Sequence, residues 1–135
     1  MLGRCSSHAS AGFAAFGPES TQGLDPFSRV EVIFLLNKIP PESVEKGARH
    51  PRGRSAWPKM GIFAQRSKDR PNRIAITICE RPFVKGLEIR VSELDAVDDT
   101  PVLDVKPYRK GFAQRGEVRE PAGAKELMAG YFCES

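Results

Sequence analysis

Three short stretches of this chain gather side chains able to do chemistry. The first, RSKDRPN (residues 66–72), sets Arg66, Arg70 and Asn72 around Pro71. Proline fixes its own φ and biases the preceding Arg70 toward an extended backbone, so these side chains can be held in defined directions. Arginine offers a planar fork of donors suited to a carboxylate or phosphate, and asparagine can read a base edge or cap a backbone group. A solvated basic turn has the same composition. The second stretch, LDAVDDT (residues 94–100), spaces Asp95 and Asp98 three apart in a turn. Their carboxylates suit either local backbone amides, as in an Asx turn, or a cationic group. The third, DVKPY (residues 104–108), puts Asp104, Lys106 and Tyr108 at alternate positions. There a carboxylate can accept a proton from an amine and a phenol can stack on a base, unless Lys106 simply pairs with Asp104.

Charge is distributed unevenly around these stretches. Residues 46–73 hold nine cationic side chains (Lys46, Arg49, Arg52, Arg54, Lys59, Arg66, Lys68, Arg70, Arg73) against the single acid Asp69. Residues 74–104 reverse the balance, with seven acids against Arg81, Lys85 and Arg90. The basic segment suits a polyanion and the acidic one suits donors or cations. Cys5, Cys79 and Cys133 are odd in number and far apart, and His8 and His50 are the only histidines, which makes neither a disulfide framework nor a metal site. His50 lies in the basic loop and is given no catalytic role.

The elements that must position these groups are mainly strands. Residues 27–36 alternate Val30, Val32, Phe34 and Leu36, with Ile33 and Leu35 making the other face apolar as well, the pattern of a strand entering a core. Pro40 and Pro41 end it, and PESVEK (residues 41–46) fits one helical turn. Residues 47–59 are rich in Gly, Pro and Arg and read as an exposed loop. Short apolar or alternating runs at residues 60–64, 74–78, 87–91 and 102–105 predict four more strands, and GAKELMAGYF (residues 123–132) predicts one terminal helix. At 135 residues this makes one domain, and no stretch approaches the roughly 18 apolar residues of a membrane span. Residues 1–23 read as a divergent, disordered lead-in to a domain over residues 24–135. The first sixteen faintly resemble a transit peptide but lack a secretory apolar region. Neither GxGxxG nor GxxxxGK[ST] is present, so a dinucleotide loop and a P-loop are both unsupported.

GIFAQRSKDRPNRIAIT (residues 61–77) resembles the GxFAxRSxxRPNxIGxS signature of the TsaA-like family, the tRNA methyltransferase group called TrmO. LDAVDDTPVLDVKPY (residues 94–108) resembles the same family's DLLDGTPVLDIKPY. FSRVEVIFLLNKIP, ARHPRG and GFAQRGEVREPAGAKELMAGYF extend the likeness over residues 24–132. No counterpart of the family's IGxIxSP-like first strand is found in residues 1–23, which predicts an unpaired edge along residues 27–36.

The resemblance implies a small β-barrel that commonly dimerises, S-adenosylmethionine as cofactor, and tRNA as partner, and the composition itself reads as a cytosolic protein without metal or membrane. It implies methyl transfer to the exocyclic nitrogen of a modified adenosine beside the anticodon. It places Asn37, Lys38, Arg66, Ile76, Asp95, Ala96, Val97 and Asp98 at cofactor-contacting positions, and it makes Asp104, Lys106 and Tyr108 the candidate catalytic group. Arg49, Arg52, Arg54, Arg70 and Asn72 are the candidate RNA contacts. Two family glycines are replaced, by Ala75 and Asp99. A methyl group at 75 is expected to crowd a cofactor passing close by, and Asp99 is expected to bear a modest cost if its φ is positive. A non-catalytic family member that binds RNA or cofactor only, and a small-molecule methyltransferase on the same fold, are the alternatives.

Overall fold

The computed structural model describes residues 8–12 and 16–123. Seven strands occur in chain order: β1 (His8–Gly12), β2 (Arg29–Leu35), β3 (Ala48–Arg49), β4 (Met60–Gly61), β5 (Ile74–Lys85), β6 (Glu88–Ser92) and β7 (Val102–Pro107). Five of them form one antiparallel sheet in the order β1-β6-β5-β2-β7, and β3 and β4 pair separately. The protein is mainly β, and its large sheet is curled into a half-barrel. β5 makes the curl possible: its first half pairs with β2 and its second with β6, with a register shift between Glu80 and Phe83. Such an irregularity bends a strand and increases its twist.

The alternation in β2 sorts the sheet's two faces. Val30, Val32 and Phe34 are at most 2% exposed and form the core with Leu36, Cys79, Ile89 and Val91. Burying each such aliphatic or aromatic side chain contributes about 1.5–3 kcal/mol. Directly opposed residues of antiparallel strands share a face. The other face therefore carries Glu31, Ile33 and Leu35 of β2 beside Ile78, Ile76 and Ile74 of β5.

Several expectations change. β2 is not an unpaired edge, because it bonds to β5 on one side and β7 on the other. The edges are β1 and β7. The lead-in read as disordered supplies β1, which pairs with β6 from His8 opposite Ser92 to Gly12 opposite Glu88. Further along it, a one-turn 3-10 helix (Pro18–Thr21) is tied to the β5–β6 turn by the Thr21 hydroxyl, which donates to the Gly86 carbonyl at 2.6 Å. The apolar run at residues 60–64 is a strand only over Met60–Gly61. It continues as a 3-10 turn, Ile62–Ala64, that buries Ile62 and turns Phe63 outward. A 3-10 turn at Pro41–Ser43 occupies the place of the expected helical turn. The helix expected at residues 123–132 lies outside the described residues.

Candidate functional site at the strand ends

Antiparallel pairing puts the end of β2 beside the beginnings of β5 and β7, so three loops must meet there. Backbone bonds fasten them: Leu35 N–H donates to the Pro101 carbonyl at 2.9 Å and Leu36 N–H to the Arg73 carbonyl at 2.8 Å. Asn37 and Lys38, exposed in the turn after β2, therefore lie close to the loop carrying Arg66, Arg70 and Asn72 and to the turn ending at Thr100. Arg73 is the residue that sequence reasoning missed. It stands at φ +55, and its guanidinium donates to the Ile39 carbonyl at 2.9 Å, clasping the loop after β2. Its position immediately after Pro71-Asn72, a turn signal, was the available clue.

The acidic turn separates its two carboxylates. Asp95 is 3% exposed between Leu94 and Ala96, both of which pack against the core, whereas Asp98 is exposed and Val97 is half-exposed. The turn itself is held by Thr100, whose hydroxyl donates to the Val97 carbonyl at 2.6 Å. Asp99 has φ +64, so the condition for its cost is met. The left-handed region costs an L-residue roughly 1–2 kcal/mol, less for aspartate, which can bond locally there. Ala75 opposes Phe34 and packs against the core, so its methyl group lies on the face opposite Ile76 and does not crowd the outer surface.

Across that outer face Asp104, Ile33 and Ile76 fall in one row, as do Lys106, Glu31 and Ile78. Two strand spacings place Asp104 about 10 Å from Ile76. Lys106 Nζ sits 3.1 Å from Asp104 Oδ2, with both side chains about half exposed, and Asp104 Oδ1 accepts from the Val105 N–H at 2.8 Å. Tyr108 is half-buried and its N–H donates to the Arg29 carbonyl at 3.0 Å, which places it at the start of β2, about 20 Å along the strand from the loop junction, so the structure does not bring it to the site. The exposed Ile76, at 41%, supplies apolar surface on the same side.

The candidate RNA contacts divide differently. Arg49 forms an ion pair with Asp69, and the Arg70 guanidinium donates to the carbonyls of Ile62, at 3.1 Å, and Gln65. Both are internal fasteners. Arg54 is exposed with its guanidinium 5.2 Å from the centre of the Trp57 ring, and Asn72 is exposed. Arg52 belongs to the 3-10 turn Pro51–Gly53. His50 is occupied by the Trp57 carbonyl, 2.8 Å from its Nδ1. Burial, reinforced by Glu93 and opposed by Arg29, pushes the Cys79 thiol from 9.0 up to about 12. A thiol held protonated is a poor nucleophile. Among the described residues no group of three His, Cys, Asp or Glu side chains could hold a metal.

Fold and site together define a small curled-sheet protein with three loops joined at its strand ends and, in its sequence, no nucleotide-binding glycine loop. The chain belongs to the TrmO family: the family model for the tRNA-methyltransferase O N-terminal domain matches residues 7–114, a span that includes β1. It is 37% identical over 102 residues to a human tRNA (adenine(37)-N6)-methyltransferase, covering 76% of this chain and 23% of that protein. It is 35% identical over 95 residues to the protein of the same name from Escherichia coli (strain K12), covering 67% and 40%. The crystal structure of TrmO from Pseudomonas aeruginosa superposes with a TM-score of 0.63 at 24% identity, over 83% of this chain and 46% of that one. The chain thus spans less than half the length of these relatives.

Proposed function

We propose that this chain is the methyl-transferring domain of an S-adenosylmethionine-dependent tRNA methyltransferase that modifies the exocyclic N6 of adenosine 37, beside the anticodon. The observation carrying this reading is the junction of three loops at the end of β2, fixed by the bonds from Leu35 to Pro101 and from Leu36 to Arg73. The residues gathered there fit the cofactor's chemistry. Arg66 suits its carboxylate, Asp98 its ammonium, Asn37 and Lys38 its hydroxyls and ring nitrogens, and Ile76 and Val97 its apolar surfaces. Asp95, buried in the same turn, positions that turn together with Ala96.

S-adenosylmethionine supplies a methyl group on a sulfonium that is already a good leaving group, so no covalent nucleophile is required. The protein's work is alignment and exclusion of water. Asp104 accepts the proton released from the adenosine N6, and Lys106 holds the carboxylate in place. Exposed cations of residues 46–73, with Asn72, hold the phosphates of the unstacked loop. Labelled methyl transfer should be seen with a tRNA carrying adenosine at 37 and lost when that position is guanosine. Equal labelling of the two would sink the assignment.

A binding-only role has one observation in its favour, the 3.1 Å pairing of Asp104 with Lys106 instead of an unpaired carboxylate. Cofactor binding without transfer to any tRNA would select it. A homodimer fits the outward isoleucines Ile74, Ile76 and Ile78, each more than 40% exposed, since apolar patches mark association sites. Light scattering at micromolar concentration tests it. No helix among the described residues is long and apolar enough to cross a membrane, and we assign the protein to the cytoplasm, the compartment of its proposed substrate.

A further inference from the structure

The unit built on β3 and β4 carries two aromatic rings that the site above does not use. Phe63 is 80% exposed, although the turn bearing it is anchored by the buried Ile62, by Ile62 N–H donating to the Gly47 carbonyl at 2.8 Å, and by Gln65, whose side chain donates to the Arg49 and Met60 carbonyls at 3.1 and 2.8 Å. The ring is therefore presented on a fixed backbone. Arg70 stands 5.9 Å from its centre, and that guanidinium is itself held by the Ile62 and Gln65 carbonyls. Trp57 is half-buried and repeats part of the arrangement. Its backbone N–H donates to the Arg54 carbonyl at 3.2 Å, its carbonyl is held by His50, and the Arg54 guanidinium lies 5.2 Å from its ring centre.

Around these rings the exposed charges include Lys46, Arg54, Lys59 and Lys68, while of the unit's acids Asp69 is neutralised by Arg49 and Glu45 accepts from the Lys46 N–H at 3.2 Å. An aromatic ring backed by a guanidinium within a cationic field suits a stacked base between phosphates. A protein partner would meet uncompensated like charge unless it were acidic. We propose that Phe63 and Trp57 are base-stacking platforms that capture unpaired nucleotides of the RNA loop, separate from the residues that hold the cofactor and accept the proton. This deepens the proposed function by naming how the substrate's single-stranded loop is gripped, and it rests on that reading for the identity of the RNA.

The test measures affinity for tRNA, and for a single-stranded heptanucleotide of anticodon-loop sequence, across a salt series. Phe63→Ala should weaken both about tenfold at every salt concentration without changing the slope, because stacking releases no counterions. Lys68→Ala should lower the slope by about 0.7 for the single strand. Phe63→Tyr should restore affinity, and Phe63→Leu should not. S-adenosylmethionine affinity and melting temperature should stay at the wild-type values in all three Phe63 variants. Trp57 is the only tryptophan, so the heptanucleotide should quench the intrinsic fluorescence directly. Phe63→Ala binding RNA as wild type does would overturn the proposal. A fall in molecular mass with RNA affinity intact would also overturn it, making the ring a contact between copies. Wild-type protein that binds neither RNA would end it too, even with cofactor binding preserved. Ring-dependent RNA binding without methyl transfer would support the platforms while removing the proposed reaction.

Discussion

The five-stranded sheet and the small β3–β4 unit are held together by different forces. The sheet rests on apolar burial: Val30, Val32, Phe34 and Cys79 are essentially inaccessible, and β2 is bonded along both sides. Among the described side chains of the unit the buried ones are Ile62 and Pro51. Its shape comes from polar fasteners: Arg49 to Asp69, Arg70 to two carbonyls, Gln65 to two more, and Glu45 N–H to the Asp69 carbonyl at 2.8 Å. Burial distributes stability over a whole sheet, whereas directed bonds to carbonyls fix a loop locally and leave its outer surface free for charge. One chain thereby joins a rigid frame to a cationic appendage whose outward side chains need not pack.

That contrast breaks most visibly in the core. Phe34→Ala should lower global stability by about 3–5 kcal/mol, read as a shifted midpoint of urea unfolding. A loss below 1 kcal/mol would mean the core does not centre on β2. Arg70→Ala removes charged bonds to two carbonyls and should cost about 1.5–3 kcal/mol locally. Amide exchange should quicken over residues 60–70 while β2 and β5 stay protected, whereas uniform quickening would show that the unit is not a separate layer of stability.

Cys79 sharpens the same contrast through pH. Its folded value of about 12 exceeds its ordinary 9.0 mainly because burial disfavours the thiolate. Between these values the folded chain keeps a proton that the unfolded chain releases, so stability falls as pH rises from 9 toward 12. The slope is at most about 1.4 kcal/mol per pH unit. Cys79→Ala should flatten that slope relative to wild type, and identical slopes would show the thiol to be accessible.

The sheet was more legible in the sequence than the appendage or the site. Alternation in residues 30–36 and 87–91 announces β2 and β6, because one buried face imposes period two, and the short apolar run at residues 102–105 announces β7. β5 runs past its legible part, through Pro82, to Lys85. A proline reads as a stop, but here it falls within the register shift, where ladder bonds are already broken. β1 has the sequence HASAG, with no large apolar residue, so only its pairing with β6 marks it as a strand. The resemblance carried the family and the candidate positions. The internal engagement of Arg49 and Arg70 stayed hidden, because Arg70's partners are backbone carbonyls that no residue type reveals and Arg49's partner lies twenty residues away. The division of the acidic turn into buried Asp95 and exposed Asp98 was equally hidden, since it depends on Leu94 and Ala96 reaching the core.

The central claim is that the loops joined at the end of β2 hold S-adenosylmethionine, and calorimetric titration of the cofactor into the folded chain tests it most directly. The expected result is saturable binding that Arg66→Ala weakens by about 1.5–3 kcal/mol, the range for hydrogen bonds to a charged group, with melting temperature unchanged. A well-folded wild-type sample that gives no binding heat, and no rise in melting temperature at millimolar cofactor, would contradict it.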